Sequence, residues 1–217
     1  ESRGLGDVYK RQFKNEALAA LKGNWPAAVI TTLVMAIISG TVSGMSYGSE
    51  TYPILFAPFG IFSIFVLLPI GVGFSMSFRK LLAEGDTDIL GNLFRVGFSQ
   101  RYMKIVGTML LTNIYIFLWT LLFIVPGIIK SFAYSMTPYI LVEEPGLTAN
   151  QAIDRSRAMM KGHKFDLFWL YLSFIGWGLL CILTLGIGFL WLVPYMEASQ
   201  SAFYAEVKAE YESRQCA

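Results

Sequence analysis

Long uncharged apolar runs, separated by short polar segments that carry the basic residues, organise this chain. Residues 26–47 and 54–78 hold no charged side chain, the second closing at Arg79-Lys80. A bilayer core of about 30 Å takes about 20 residues of helix, so each run predicts one crossing, joined by the polar turn Gly48 to Pro53. The apolar stretches from Ile105 to Val142 and from Phe165 to Val207 are each too long for one tilted crossing and sufficient for two. Thr184-Leu185-Gly186-Ile187-Gly188 marks the turn in the second; in the first it falls between Tyr115 and Val125. The pattern predicts an all-α polytopic membrane protein with six transmembrane helices.

Basic residues near membrane ends mark the cytoplasmic side. They fall at Lys14 and Lys22, at Arg79, Lys80, Arg95, Arg101 and Lys104, at Arg155, Arg157, Lys161 and Lys164, and at Lys208 and Arg214. Six crossings place all of them, and both termini, on that side, with Lys130 the one basic residue left in a span. The segments between crossings are amphipathic. Residues 147–161 set Ala149, Ala152, Ile153, Ser156 and Met160 on one face, and Thr148 and Gln151 stand at capping-box spacing. Residues 88–97 do the same through Ile89, Leu90, Leu93 and Phe94 behind a capping Asp86 or Asp88, as do Phe13, Ala17, Ala20 and Leu21. Such helices lie along the inner leaflet or pack under the bundle.

A degenerate triplicated helix-pair repeat runs through this pattern. An amphipathic segment ends at Gly23, Gly97 and Gly162, and an aliphatic pair precedes proline in Leu67-Leu68-Pro69, Ile124-Val125-Pro126 and Leu192-Val193-Pro194. Repeats in membrane proteins often place a site at their interface.

Composition fits the same picture. Of 217 residues 55% are apolar and only 15% charged, with 17 Lys+Arg against 15 Asp+Glu, and the mean hydropathy is +0.54. Soluble domains carry about a quarter charged residues, and nucleic-acid binding needs a concentrated basic face, which dispersed cations do not form. The two cysteines, Cys181 and Cys216, make no disulfide framework and no metal spacing, and the single His163 sits on a polar shoulder suited to an interface. Neither a metal nor a cofactor is expected. Residues 7–12 (DVYKRQ) read like a translated sequencing adapter, so residues 1–12 are set aside as an artefact or a disordered arm. Residues 13–207 then form one integral membrane domain, and 208–217 a cytoplasmic tail. No signal peptide precedes the first apolar run, which is read as a retained helix.

Several of these segments resemble one bacterial integral membrane family, catalogued as domain of unknown function 975. They are Ala20 to Trp25, Val125-Pro126-Gly127-Ile128-Ile129-Lys130 with Tyr134 and Pro138-Tyr139, and Ala152-Ile153 to Ser156 with Met160-Lys161-Gly162-His163. The closing Val193-Pro194-Tyr195 to Glu197 and Ala202-Phe203-Tyr204 fit the same pattern. More remotely, the chain is similar to the multi-helix membrane portion attached to some glycerophosphodiester phosphodiesterases. The resemblance implies a membrane fold and carries over no catalytic residue.

Charged side chains inside a span cost about 2.5 to 3.5 kcal/mol on insertion scales and are usually paired or functional. Lys130, four residues after Pro126, and Glu197, three after Pro194, form a candidate intramembrane pair, with Asn113, Ser199, Gln200 and Ser201 as candidate neighbours. A pair that holds helices together is the first reading, an ion or anionic-substrate site the second, catalysis the third. Glu143-Glu144 lacks the arginine and later histidine of an intramembrane prenyl-protein protease and is read as ending the fourth helix. Gly71-Val72-Gly73 and Gly186-Ile187-Gly188 lack the polar context of a phosphate loop and suit close packing or a kink. Pro69 and Pro194 each free a carbonyl inside a span. The function expected is that of a non-enzymatic protein of the bacterial cytoplasmic membrane, acting through membrane lipids or other membrane proteins, with no nucleic acid. The alternative is a small-solute or ion transporter using Lys130 and Glu197.

Overall fold

The structure, a computed structural model, describes the backbone of residues 2–51 and 53–216 and the side chains of 11–41, 44 and 62–215. Among these residues there are eleven α-helices and no strand. Helix α1 (Ser2–Leu21) runs through the adapter-like stretch and ends at Gly23, whose φ of +88° turns the chain. Helix α2 (Trp25–Thr51) leaves at 98° to it. The expected polar turn is narrower than its composition suggested: residues 48–51 are helical, α3 (Pro53–Glu84) starts at once, and Tyr52 lies outside the described residues.

Helix α4 (Ile89–Gly97) folds back along α3. Asp88 caps it, its Oδ1 accepting from the Gly91 N–H at 3.0 Å, and Arg95 at the other end closes an ion pair to Asp88. The two backbones touch. A Cβ on Gly73 would stand 2.0 Å from the Leu93 carbonyl oxygen, and one on Gly97 would stand 2.7 Å from that of Pro69. Close packing at Gly73 is thus confirmed, and its partner is the amphipathic segment itself. The apolar faces read as inner-leaflet surfaces are largely inside the protein. Ile89 and Leu93 of α4, Phe13, Ala17 and Leu21 of α1, and Ala152, Ile153 and Ser156 further on are buried, although Phe94 stays exposed.

Helix α5 (Tyr102–Leu122) breaks at Phe123, which is extended, and α6 (Ile124–Tyr134) returns against it. The turn therefore lies at the late end of the expected window. Gly127 permits the closure, because a Cβ there would meet Thr120 Oγ1 at 2.2 Å. Pro126 sits in the first turn of α6, where its missing N–H costs nothing. Helix α7 (Thr137–Glu143) follows after a break at Ser135-Met136, and Glu143 ends it. Helix α8 (Ala149–Met159) opens with the expected capping box, Thr148 and Gln151 bonding reciprocally. Its buried Ser156 stitches the α6–α7 break: Oγ donates to the Ala133 carbonyl at 2.9 Å and accepts from the Met136 N–H at 3.2 Å.

Helices α9 (Lys164–Leu172) and α10 (Ile175–Leu183) form one broken segment, its interruption held by Lys14, whose Nζ donates to the Ser173 carbonyl at 3.4 Å and lies 4.2 Å over the Phe174 ring. The turn expected at 184–188 is present, with Leu185 and Gly186 at positive φ. Helix α11 (Phe189–Cys216) crosses the molecule with Pro194 inside it and packs on α1, α2 and α3.

Among the described residues three segments are long and apolar enough to cross a membrane, Phe62–Glu84, Tyr102–Leu122 and Lys164–Leu183, or four if the bent α1–α2 pair counts as one. Helices α6 and α7, of 11 and 7 residues, are individually too short, and α11 carries Glu197 and a charged C-terminal part from Glu206 onward. The three proline motifs occupy unlike settings: Pro69 and Pro194 lie within long helices, whereas Pro126 starts a short one. The repeat is not expressed as three equivalent helix pairs. Along the surface the apolar residues stay exposed. Leu121 to Val125 form an open tip on the α5–α6 hairpin, and Leu185 is 94% exposed at the α10–α11 turn.

Candidate functional site: a half-buried glutamate beside a charged rim

A layer of polar, largely half-buried side chains lies against the core. Glu197 on α11 accepts a hydrogen bond from Ser75 Oγ on α3 at 3.0 Å. The buried Tyr139 hydroxyl on α7 faces Ser75 and Glu197 without reaching hydrogen-bond geometry. Tyr171 on α9 faces the same carboxylate and donates to Gln200 Oε1, one turn further along α11. Ser201 Oγ is buried with no hydrogen-bond partner among the described residues. Four helices, α3, α7, α9 and α11, therefore converge on a carboxylate supported by a single hydroxyl.

Lys130 does not belong to this layer, and the expected Lys130–Glu197 pair is corrected. Its Nζ lies 4.4 Å over the Trp119 ring, across the α5–α6 hairpin, a cation–π contact. The charges that act on it are those of Arg157 and Lys164, both of its own sign. The physical reason is the setting of the prolines: Pro126 opens a short helix packed chiefly on α5, whereas Pro194 lies within α11, which packs chiefly on α1, α2 and α3. Equal spacing from proline therefore leads to different places. Of the candidate neighbours, Gln200 and Ser201 lie by the layer. Ser199 donates to the Tyr195 carbonyl of its own helix, and Asn113 does the same to Met109 on the exposed side of α5.

A rim of ion pairs stands beside the layer, joined to it by Tyr204, which stacks on Tyr139 with centroids 4.7 Å apart. Glu143 at the end of α7 accepts from Arg79 Nε at 2.9 Å, from the Tyr204 hydroxyl at 2.9 Å and from Lys208 Nζ at 2.5 Å. Burial pushes the Glu143 carboxyl up, but the Lys208 hydrogen bond, the Arg79 charge and the Tyr204 hydroxyl outweigh it, so the group is held below the usual glutamate range. Glu144 pairs with Arg155 at 3.0 Å, and His163 reaches Glu210 at 3.1 Å and Asp166 at 3.4 Å. A carboxylate saturated by three donors is a poor base. The rim therefore ties α3, α7, α8 and α11 together. Among the described residues no three of His, Cys, Asp and Glu lie together as metal ligands.

The segment from the hairpin tip to the C-terminal part of α11 thus contributes Glu197, Tyr139, Tyr171, Gln200 and most of the rim. Residues 121–211 match the model of a family described as protein of unknown function, DUF975. The resemblance read from the residues is shown over that range. The DUF975 match takes in α6 to α10 and most of α11, and it leaves out α3, which supplies Ser75 and Arg79. Neither a curated protein nor a solved structure matches the chain. The contacts of Ser75 and Arg79 went unforeseen because they join residues more than sixty positions apart, and no local spacing signals them. Arg79-Lys80 at the end of an apolar run was the one available hint.

Proposed function

We propose that this chain is a non-enzymatic integral membrane protein of the bacterial cytoplasmic membrane that acts through lipids or membrane partners. The observation that carries it is the exposed apolar surface, from the α5–α6 tip to the α10–α11 turn, which far exceeds the scattered apolar residues of a soluble surface. Helix α3, at 32 residues, is about 48 Å long against a core of about 30 Å. Its basic end, with α4, the Glu143 rim and α8 around it, then projects from the bilayer as a polar-capped platform. In this reading α2, α3, α5, α6 with α7, α9 with α10, and α11 are the six crossing segments. Because α5 and α6 form a hairpin, the chain enters and leaves on one side whatever depth the tip reaches, and the basic residues and both termini stay cytoplasmic. Saturation of the rim carboxylates supports binding over catalysis.

The test is recovery after alkaline washing of membranes, followed by analysis of what copurifies. The protein is expected to stay with the membrane and to retain anionic lipid or a specific membrane protein; release by carbonate, or purification with neither, overturns the reading. Glu197 favours a second reading, ion translocation through the polar layer, since no basic residue among the described ones pairs with it. Under that reading Glu197→Gln abolishes a proton or cation flux in proteoliposomes while the protein remains folded.

A further inference from the structure

We propose that the cleft where α4, α5 and α7 meet binds a phosphate group. It encloses about 380 Å³, within the range of small-ligand pockets. Four cations line it, Lys80, Arg95, Arg101 and Lys104, with the neutral hydrogen-bonding side chains of Ser99 and Gln100, and no acidic residue does. Ile105 and Leu141 supply part of an apolar wall.

The cations are not all committed elsewhere. Arg95 is paired with Asp88 at 3.0 Å, and Lys80 is 3.4 Å from Asn92 Oδ1. Asp86 stands behind these two, held ionised below the usual carboxylate range by the Asn92 side chain and the Asp88 N–H. Lys104 donates to a carbonyl, that of Pro145, at 2.6 Å, which leaves its charge uncompensated. The Arg101 guanidinium has no partner among the described residues. A dianionic or monoanionic phosphate satisfies this arrangement: the Arg101 fork offers bidentate donation, Lys104 a second charge, and Ser99 and Gln100 neutral donors. Phe98 and Tyr102, stacked with centroids 5.7 Å apart, and the 70%-exposed Met103 flank Ser99, Gln100 and Arg101 in the chain, apolar neighbours for acyl chains. The shared chemistry is thus phosphate, carried by an anionic glycerophospholipid or by a soluble phosphate. The lipid source rests on the membrane reading above; the cleft itself does not.

The experiment uses the full chain with Arg101→Gln, Arg101→Glu and, as a control on another surface, Lys161→Gln. One arm measures retention of phosphatidylglycerol in phosphatidylcholine nanodiscs; the other titrates inorganic phosphate and glycerol 3-phosphate into detergent-solubilised protein. With each basic group worth about fivefold towards an anionic headgroup, Arg101→Gln is expected to weaken binding about fivefold and Arg101→Glu about twenty-five-fold, with Lys161→Gln unchanged. Retention of the lipid without competition by phosphate assigns a lipid headgroup; saturable binding in the detergent arm assigns a soluble phosphate. No binding in either arm, no change with either Arg101 variant, or an equal loss with Lys161→Gln overturns the proposal. Because the detergent arm needs no bilayer, a chain washed off membranes by carbonate still reports on the cleft.

Discussion

Replacing Ser156 by alanine isolates one interior contact whose loss is calculable. The hydroxyl is buried and serves both sides of the α6–α7 break, donating to the Ala133 carbonyl at 2.9 Å and accepting from the Met136 N–H at 3.2 Å. Alanine fits the space and creates almost no cavity, so the cost is that of two backbone groups stripped of a partner where water does not reach. Each buried unsatisfied group costs about 1 to 3 kcal/mol, the carbonyl less because it has a second lone pair. Subtracting the desolvation that the hydroxyl itself no longer suffers leaves about 2 to 3 kcal/mol. For a chain of this length that is a fall in Tm of about 4 to 12 °C. Thermal unfolding in detergent reads the shift, and hydrogen exchange at Met136 reads its location. A Tm within about 1 °C of the parent, with Met136 protection unchanged, refutes the assignment of Ser156 as the stitch.

Four further outcomes follow from the same contacts. Glu143→Gln leaves Arg79 and Lys208 facing each other without a counter-charge and should destabilise by about 3 to 5 kcal/mol. Because the folded carboxyl titrates below its unfolded value, near 4.3, its contribution is full above that pH and is lost as pH falls through the depressed value. An acid-unfolding series should therefore show a shallower acid limb in Glu143→Gln than in the parent. Gly73→Val drives a side chain into the Leu93 carbonyl and should separate α4 from α3, seen as loss of Leu93 amide protection; a protection pattern like that of the parent contradicts the backbone contact. Thr148→Ala removes the α8 cap at about 1 kcal/mol, measurable by thermal melting. In a double-mutant cycle, Lys130→Met and Glu197→Gln should add within about 0.5 kcal/mol; strong coupling would restore the pair that the fold keeps apart.

What was legible in the sequence is local. The capping box at Thr148 and Gln151, the glycine stops at Gly23 and Gly162, and the turn at 184–188 each need only neighbouring residues, and each is in the structure. The amphipathic faces were legible as faces, but periodicity does not say what covers them, and the answer is mostly protein. Glu197 stood out as a charge in an apolar context, and the structure sets it half-buried beside Ser75. Its hydroxyl support from Ser75 was not legible, since α3 and α11 meet only through the tertiary fold. Lys130 misled because Pro126 and Pro194 look alike in sequence, yet a proline in a first turn and one in a helix interior place the residues after them in different surroundings. The basic cleft was missed because its cations come from three elements and only their charge, not their convergence, is written locally.

The account stands on all the basic clusters facing one side of a bilayer. The direct measurement is labelling of single cysteines, placed at Lys22, Arg101, Lys161 and Lys208 in a background with Cys181 and Cys216 replaced by serine, in sealed inside-out and right-side-out vesicles. All four positions are expected to react with an impermeant maleimide in inside-out vesicles and none in right-side-out ones. Reaction of any of the four from the opposite side contradicts the arrangement.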